Sequence, residues 1–166
     1  MHEADRKLVE QLSALLGERG LSLAVAESCT GGLIADMITN VPGASEFFDS
    51  SFVTYSNGAK EEVLGVHKVT IVKEGAVSEE TARQMAEGVR RMRRTDFALA
   101  ATGNLGPTGQ EDKKIGLVFF SVASRHETVS VRMEFSGKRR AVKEQAAAAA
   151  LRFLWEQILM TVGTHA

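Results

Sequence analysis

The sequence Ala-Glu-Ser-Cys-Thr-Gly-Gly at residues 26–32 decides the fold, because it joins two segments of different character. The apolar run before it, residues 21–25, is typical of a strand, and residues 33–38 after it have a helical pattern. The first turn of a helix leaves N–H groups unpaired, so an anion or a developing oxyanion is stabilised there. Gly31 and Gly32 lack a Cβ and permit close approach of a ligand. The same residues also fit an ordinary capped helix after a tight turn.

The flanking segments alternate between helical and strand patterns. Helices are expected over residues 8–16, from near Thr30 to before Val41, over residues 59–64, over residues 79–94 with Ser78 as N-cap, and in a long C-terminal segment after residue 137. Strands are expected over residues 47–57, 97–101, 117–122 and 129–135, whereas residues 70–72 fit either a loop or a helix end. This order predicts an α/β fold: a three-layer αβα sandwich whose mixed, mostly parallel sheet ends in a late antiparallel hairpin. One domain is expected over residues 1–166.

Composition excludes several classes of protein. With 166 residues and 44% hydrophobic residues, the chain can fill one substantial core, and its net charge of −1 argues against a nucleic-acid partner. The single cysteine, Cys29, excludes an intrachain disulfide. The first 20 residues lack a signal-peptide pattern, and no apolar run reaches membrane-spanning length. We therefore expect a cytoplasmic protein that does not bind membranes and, as is common for compact α/β enzymes, forms a homo-oligomer.

Three strand ends carry polar and glycine residues: residues 28–32, 55–60 and 102–109. In open α/β sheets, ligands bind outside the carboxyl ends of the strands. The position of these three segments therefore predicts a small-molecule site at one edge of the sheet.

Ser28 is the first candidate nucleophile, and a serine hydroxyl needs a base to attack a carbonyl carbon. Lys60 and Tyr55 flank the turn after the second strand, and a partly desolvated lysine can accept a proton near neutral pH. Both residues also fit an ordinary role, as a solvated lysine and a half-buried aromatic residue. Of the four histidines only His67 is placed to line a site, and it has no acidic neighbour in sequence.

Cys29 is a rival nucleophile, because a helix N-terminus lowers the pKa of a thiol. Adjacent residues of a strand point to opposite faces, so only one of Ser28 and Cys29 is expected to face a pocket. No metal-ligand spacing is present, and we expect no metal. The arginines of residues 90–94 fit either a phosphate patch or a complement to the C-terminal end of a helix dipole.

Five motifs occur in a fixed order along nearly the whole chain. They are residues 26–32, residues 53–57 with Lys60, residues 75–78, Thr102-Gly103 with Gly106-Pro107, and residues 135–137 with Arg139. Together they resemble the nicotinamide-nucleotide amidohydrolase family, also known as the C-terminal domain of the competence/damage-inducible protein. The chain departs from the family pattern at Asn104 and Leu105, where isoleucine and alanine are common.

The resemblance implies deamidation of nicotinamide mononucleotide, a small-molecule nucleotide substrate, to nicotinate mononucleotide and ammonia, without a cofactor. By position, it implies that Ser28 is the nucleophile and that Tyr55 and Lys60 activate it. It also implies an oxyanion site at the backbone of Thr30 and Gly31. For the phosphate, we expect donors among the backbone N–H groups of residues 103–109 or from Arg139. The expected substrate-binding residues are Thr30, Gly31, Gly32, Thr102, Gly103, Asn104 and Arg139. The alternative is a catalytically silent nucleotide-sensing or partner-binding domain of the same family.

Overall fold

A computed structural model describes residues 2–109 and 111–163, and it arranges them in five strands, six α-helices and one short 3-10 helix, Ala44–Glu46. The strands are β1 (Leu23–Glu27), β2 (Phe48–Val53), β3 (Phe97–Gly103), β4 (Leu117–Ala123) and β5 (Thr128–Glu134). The helices are α1 (Glu3–Glu18), α2 (Leu33–Thr39), α3 (Asn57–Leu64), α4 (Lys68–Glu74), α5 (Glu79–Arg93) and α6 (Arg139–Gly163).

The strands form one sheet in the order β2-β1-β3-β4-β5. Strand β1 pairs in parallel with both β2 and β3, and β4 pairs antiparallel with β3 and β5. Four strands therefore run in one direction and β4 runs against them. This confirms the predicted mixed, mostly parallel sheet with a late antiparallel hairpin.

Helices cover both faces of the sheet. On one face α1, α2 and α6 bury Leu12, Ile34 and Leu151 against the strands. On the other face α3, α4 and α5 bury a smaller core that includes Leu64 and Met85. The predicted three-layer αβα arrangement is confirmed, since each face needs an apolar cover.

Two local predictions are corrected by packing and backbone geometry. Residues 70–72 lie inside α4, where Ile71 is buried in the smaller core. Helix α2 begins at Leu33 and not near Thr30, because Gly31 and Gly32 have φ angles of 55° and 95°. Such positive φ values are incompatible with a right-handed helix and are adopted most readily by glycine.

The three parallel strands end at the same edge of the sheet. Glu27, the last residue of β1, pairs with Val53 of β2 and with Ala101 of β3. The loops that follow these strands therefore start side by side, which brings together residues far apart in the sequence.

Candidate active site

A pocket of about 530 Å³ lies at this edge of the sheet. Its volume is within the range of sites for small molecules. The walls bring together seven residues that the sequence singled out: Ser28, Tyr55, Lys60, Thr102, Gly103, Asn104 and Arg139. The loops after all three parallel strands contribute, as expected for an open α/β sheet.

Ser28 and Lys60 are in direct contact inside the pocket. The Lys60 ammonium donates a hydrogen bond to Ser28 Oγ over 2.9 Å. Ser28 is 7% exposed and Lys60 only 1% exposed, so bulk water is largely excluded from the pair. Ser28 is fixed by its N–H, which donates to the carbonyl of Ala101 on the neighbouring strand β3.

The other contacts of Lys60 determine how its nitrogen is oriented. Nζ also donates to the carbonyl oxygens of Thr54 and Tyr55, each at 3.0 Å. A neutral amine has two N–H donors and one lone pair. When Lys60 loses a proton, the two carbonyls can keep its two N–H groups, and the lone pair is left for the Ser28 hydroxyl.

Burial lowers the pKa of Lys60 to about 8, because the charged ammonium is poorly solvated there. The Glu111 carboxylate opposes this shift by stabilising the positive charge. A lysine with this pKa is neutral in an appreciable fraction of molecules near pH 7 to 8. It can therefore act as a base toward the serine hydroxyl that it contacts.

Cys29 also lines the pocket, but its thiol has the opposite character. Burial raises the pKa of Cys29 to about 12, since a thiolate would be desolvated. The thiol is therefore protonated at neutral pH, and only the thiolate is a strong nucleophile. Of the two candidates in the sequence, Ser28 is the one beside a base.

Tyr55 contributes to the pocket in a different way from Lys60. Its side chain is exposed, and its phenol oxygen accepts a hydrogen bond from Arg139 over 3.1 Å. Arg139, the first residue of α6, also donates to the carbonyl of Gly106. Only the backbone carbonyl of Tyr55 contacts Lys60, so the phenol does not take part in the serine–lysine contact.

The helix start after Ser28 is occupied by the protein itself. The Glu27 carboxylate accepts hydrogen bonds from the N–H groups of Gly32, Ile34 and Ala35 at 2.9, 3.1 and 3.0 Å. Its Oε1 also accepts from the Ser51 hydroxyl at 3.2 Å. The buried carboxylate therefore caps α2 from the preceding strand.

This cap involves part of the predicted ligand site at residues 30–32, whose role in substrate binding stays a prediction. The N–H of Gly31 donates to the Ser28 carbonyl, and the N–H of Gly32 donates to Glu27. Thr30, Gly31 and Gly32 are not among the residues that line the pocket. The two glycines serve the turn between strand and helix, and the positive end of the α2 dipole is compensated by Glu27.

Asn104 lines the pocket, and its side chain also holds the pocket loop together. Its Nδ2 donates to the carbonyl of Lys113, and its Oδ1 accepts from the N–H of Gly106. The assignment of Asn104 to substrate binding stays a prediction. Thr102 donates its hydroxyl to the carbonyl of Ala76, and its oxygen can still accept a hydrogen bond.

Glu111 lines the pocket although the sequence analysis did not single it out. Its carboxylate accepts from the N–H groups of Ala76 and Val77 at 2.8 and 3.2 Å. Burial disfavours the charged form of Glu111 and raises its pKa. The hydrogen bonds from these N–H groups stabilise the carboxylate, and the pKa of Glu111 is below its ordinary value. Gly75 has a φ angle of 86°, which other residues adopt only with strain, and a Cβ at that position would lie 2.2 Å from Glu111 Oε2. No motif in the sequence indicated this contact.

Other predictions about the site can be compared with the described residues. His67 is exposed, precedes α4 and does not line the pocket. Within residues 2–109 and 111–163 no group of three or more histidine, cysteine, aspartate or glutamate side chains could hold a metal ion. In the same part of the chain, every helix is too short or too polar to span a lipid bilayer.

A family model for the CinA C-terminal domain matches residues 5–158. The chain belongs to the CinA C-terminal domain family. This CinA C-terminal domain is 44% identical over 155 residues to the nicotinamide-nucleotide amidohydrolase PncC of Escherichia coli, covering 92% of this chain and 94% of that protein. It is 52% identical over 152 residues to a CinA-like protein of Syntrophus aciditrophicus, covering 90% of this chain but 36% of that protein. The chain thus spans little more than a third of this longer relative.

The fold of this CinA C-terminal domain is shared with solved structures. The competence damage-inducible protein A (ComA) of Klebsiella pneumoniae superposes with a TM-score of 0.90 at 35% identity, covering 93% of this chain and 96% of that one. The competence/damage inducible protein CihA of Agrobacterium tumefaciens gives a TM-score of 0.89 at 36% identity, covering 93% and 95% of the two chains. These similarities extend over almost the whole length of both chains.

Proposed function

We propose that this CinA C-terminal domain hydrolyses the carboxamide of nicotinamide mononucleotide to give nicotinate mononucleotide and ammonia. The observation that carries the proposal is the 2.9 Å contact between the Ser28 hydroxyl and the buried amine of Lys60. The similarity to a protein named nicotinamide-nucleotide amidohydrolase, nearly equal in length to this chain, supports the choice of substrate.

In the proposed reaction, neutral Lys60 accepts the proton of Ser28 as Oγ attacks the carboxamide carbon. The resulting Lys60 ammonium then gives a proton to the amide nitrogen, the C–N bond breaks, and ammonia leaves. A water molecule attacks the acyl ester while Lys60 again accepts a proton. The acid is released and Ser28 regains its hydrogen, so that one water is consumed for each amide cleaved.

The part of the pocket around Arg139 suits the phosphate end of such a substrate. The Arg139 guanidinium lies in the first turn of α6 and is held against Tyr55 and Gly106. We assign it, with Thr102 and the backbone of Gly103, to binding of the nucleotide. Arginine is suited to phosphate because its planar donors match two oxygens at once.

The test is ammonia release from nicotinamide mononucleotide by the purified protein beside Ser28→Ala. We expect release by the wild type and a loss of at least about 1,000-fold in the variant. A Ser28→Ala protein that keeps full activity would remove Ser28 as nucleophile. Binding of the nucleotide without ammonia release by the wild type would favour the alternative, a silent nucleotide-sensing domain.

The expected homo-oligomer, cytoplasmic location, single domain over residues 1–166 and lack of a nucleic-acid partner stay predictions. Light scattering on the purified protein measures the oligomeric state directly. A molecular mass near 17.9 kDa in solution would contradict the expected homo-oligomer.

A further inference from the structure

A second concave surface lies at the end of the sheet opposite the pocket. It is an open groove of about 700 Å³ between the end of α5 and the turn that joins β4 to β5. Thr95, just before β3, forms part of its floor, whereas the candidate active site lies beyond the other end of β3. The two sites therefore share a strand but no lining residue.

The groove is rich in arginine. Arg90 and Arg91 come from the last turn of α5, Arg94 caps that helix, and Arg125 comes from the facing β4–β5 turn. Asp96 holds Arg125 in place through an ion pair of 3.1 Å. His126 and the carboxylates of Glu87 and Glu127 line the groove as well. The four guanidinium groups are thus accompanied by three carboxylates, of which Asp96 is paired with Arg125.

The arginines of α5 differ in their partners. Arg83 is paired with Glu80 and Glu87, and Arg93 is paired with Asp49 at 2.7 Å. Across the described ranges 2–109 and 111–163, the side chains of Arg90, Arg91 and Arg94 form no ion pair. The unpaired arginines are those that line the groove, and Glu87 is already engaged by Arg83.

Two polar atoms buried at the groove have no hydrogen-bond partner within the described chain: Arg90 Nε and Thr95 Oγ1. Thr95 is only 4% exposed, so its hydroxyl cannot rely on bulk water. Leaving a buried donor unsatisfied costs free energy, and such groups are rare in native proteins. Both atoms can donate, so the same partner, an anion, suits them.

Complementing the helix dipole does not account for the whole cluster. The C-terminal end of a helix carries roughly half a negative charge. Arg90, Arg91 and Arg94 bring three positive charges to this end, whereas the charge of Arg125, from another element, is paired with Asp96. A surplus of positive charge is left in the groove, together with the unsatisfied donors.

We propose that this groove binds the phosphate groups of a small phosphorylated molecule, at a site separate from the candidate active site. Guanidinium groups bind phosphate oxygens in pairs and keep their charge at every physiological pH. The groove is much larger than a phosphate ion, so it also has room for the group that carries the phosphates. Arg94 and Arg125, on facing walls, are placed to bind from two sides.

The experiment is calorimetric titration with two probes, inorganic pyrophosphate and ADP. The variants are Arg90→Gln combined with Arg94→Gln, and separately Arg125→Gln. The matched control is Arg93→Gln, which changes an arginine of the same helical turn that is bound to Asp49. Thermal melting checks that every variant is folded. Arg139→Gln reports any binding in the candidate active site.

We expect the double variant to weaken binding about tenfold or more and Arg125→Gln to weaken it by a smaller factor. Arg93→Gln and Arg139→Gln should leave this binding within about twofold of the wild type. Tighter binding of ADP than of pyrophosphate would identify a nucleotide ligand, and equal binding would identify the phosphate groups alone. The proposal is overturned if neither probe binds, if Arg93→Gln weakens binding as much as the double variant, or if Arg139→Gln abolishes it.

Discussion

Glu27 and Ser28 are consecutive residues, yet they belong to two different regions of the molecule. The Glu27 carboxylate contacts the start of α2 on one face of the sheet, whereas the Ser28 hydroxyl contacts Lys60 of α3 on the other. Successive side chains of a strand point to opposite faces, which separates the two environments. Glu27 therefore belongs to the structural framework, whereas the next residue, Ser28, belongs to the candidate active site.

Each of the two regions buries one ionisable side chain, but the hydrogen bonds that compensate for its burial differ. Glu27 makes four hydrogen bonds, all to groups that stay in place during a reaction. Lys60 makes two bonds to carbonyls and a third to a hydroxyl that can react. Burial of a charged side chain serves stability where all of its partners belong to the structural framework, and it serves proton transfer where one partner is a nucleophile.

The strongest test of this contrast is Lys60→Met, which keeps an unbranched side chain as far as Cε but removes the nitrogen. We expect the rate of ammonia release to fall about 1,000-fold or more, because Ser28 loses its base. Lys73→Met, at an exposed position of α4, is the matched control and should keep full activity. Substantial activity in Lys60→Met with its acidic limb intact would show that another group deprotonates Ser28.

Lys60 also predicts how the wild type responds to pH. Activity should rise with pH through an acidic limb centred near pH 8, where the buried amine loses its proton. The pKa of Lys60 in the folded protein is below its ordinary value of 10.5, so the unfolded chain binds the additional proton between these values. The free energy of unfolding should therefore rise between pH 8 and 10.5, and this rise should be absent in Lys60→Met.

Glu27→Gln tests whether the Glu27 carboxylate stabilises the start of α2. The side-chain amide nitrogen of glutamine replaces one acceptor oxygen and faces N–H or O–H groups, from which it cannot accept hydrogen bonds. The free energy of unfolding should therefore fall by about 2–4 kcal/mol. Urea denaturation measures this loss, with the exposed Glu74→Gln as control. A stable Glu27→Gln protein that has lost its activity would contradict the assignment of Glu27 to the scaffold.

Glu111→Gln tests how the Glu111 carboxylate affects the pKa of Lys60. The carboxylate favours the Lys60 ammonium, so its removal should lower the pKa of Lys60 further. The acidic limb of the pH–rate profile should move to lower pH by less than about one unit. Asp112→Asn, a neighbouring residue that does not line the pocket, should leave the limb unchanged. A shift of the acidic limb to higher pH in Glu111→Gln would contradict the proposed effect of the carboxylate on the pKa of Lys60.

The smallest effect is expected for Tyr55→Phe, because its exposed phenol contacts Arg139 and not the serine–lysine pair. KM for the nucleotide should rise about two- to fivefold, with little change in kcat. A large fall in kcat would instead place the phenol in the proton transfer, as the sequence analysis expected. Steady-state kinetics of Tyr55→Phe beside Arg139→Ala separate these outcomes.

The sequence predicted the parts of the site whose cause is local. Ser28, Lys60 and Thr102 were found because each lies in a polar segment that follows or flanks a strand, and parallel strand ends meet at one edge. Ser78 was likewise expected to begin α5, and its hydroxyl accepts from the N–H of Thr81. Such features depend on residues that are neighbours along the chain.

Local patterns in the sequence predicted the order of the strands and of the helices other than α4, the edge of the sheet that carries the pocket, and the position of Ser28. Three features depend on how the chain packs: Glu27 caps α2, Glu111 accepts from the amides of Ala76 and Val77, and Lys60 is buried with a lowered pKa. The difference lies in distance along the chain. Periodicity and turn chemistry act over a few residues, whereas desolvation and long-range hydrogen bonds depend on which segments the fold brings together.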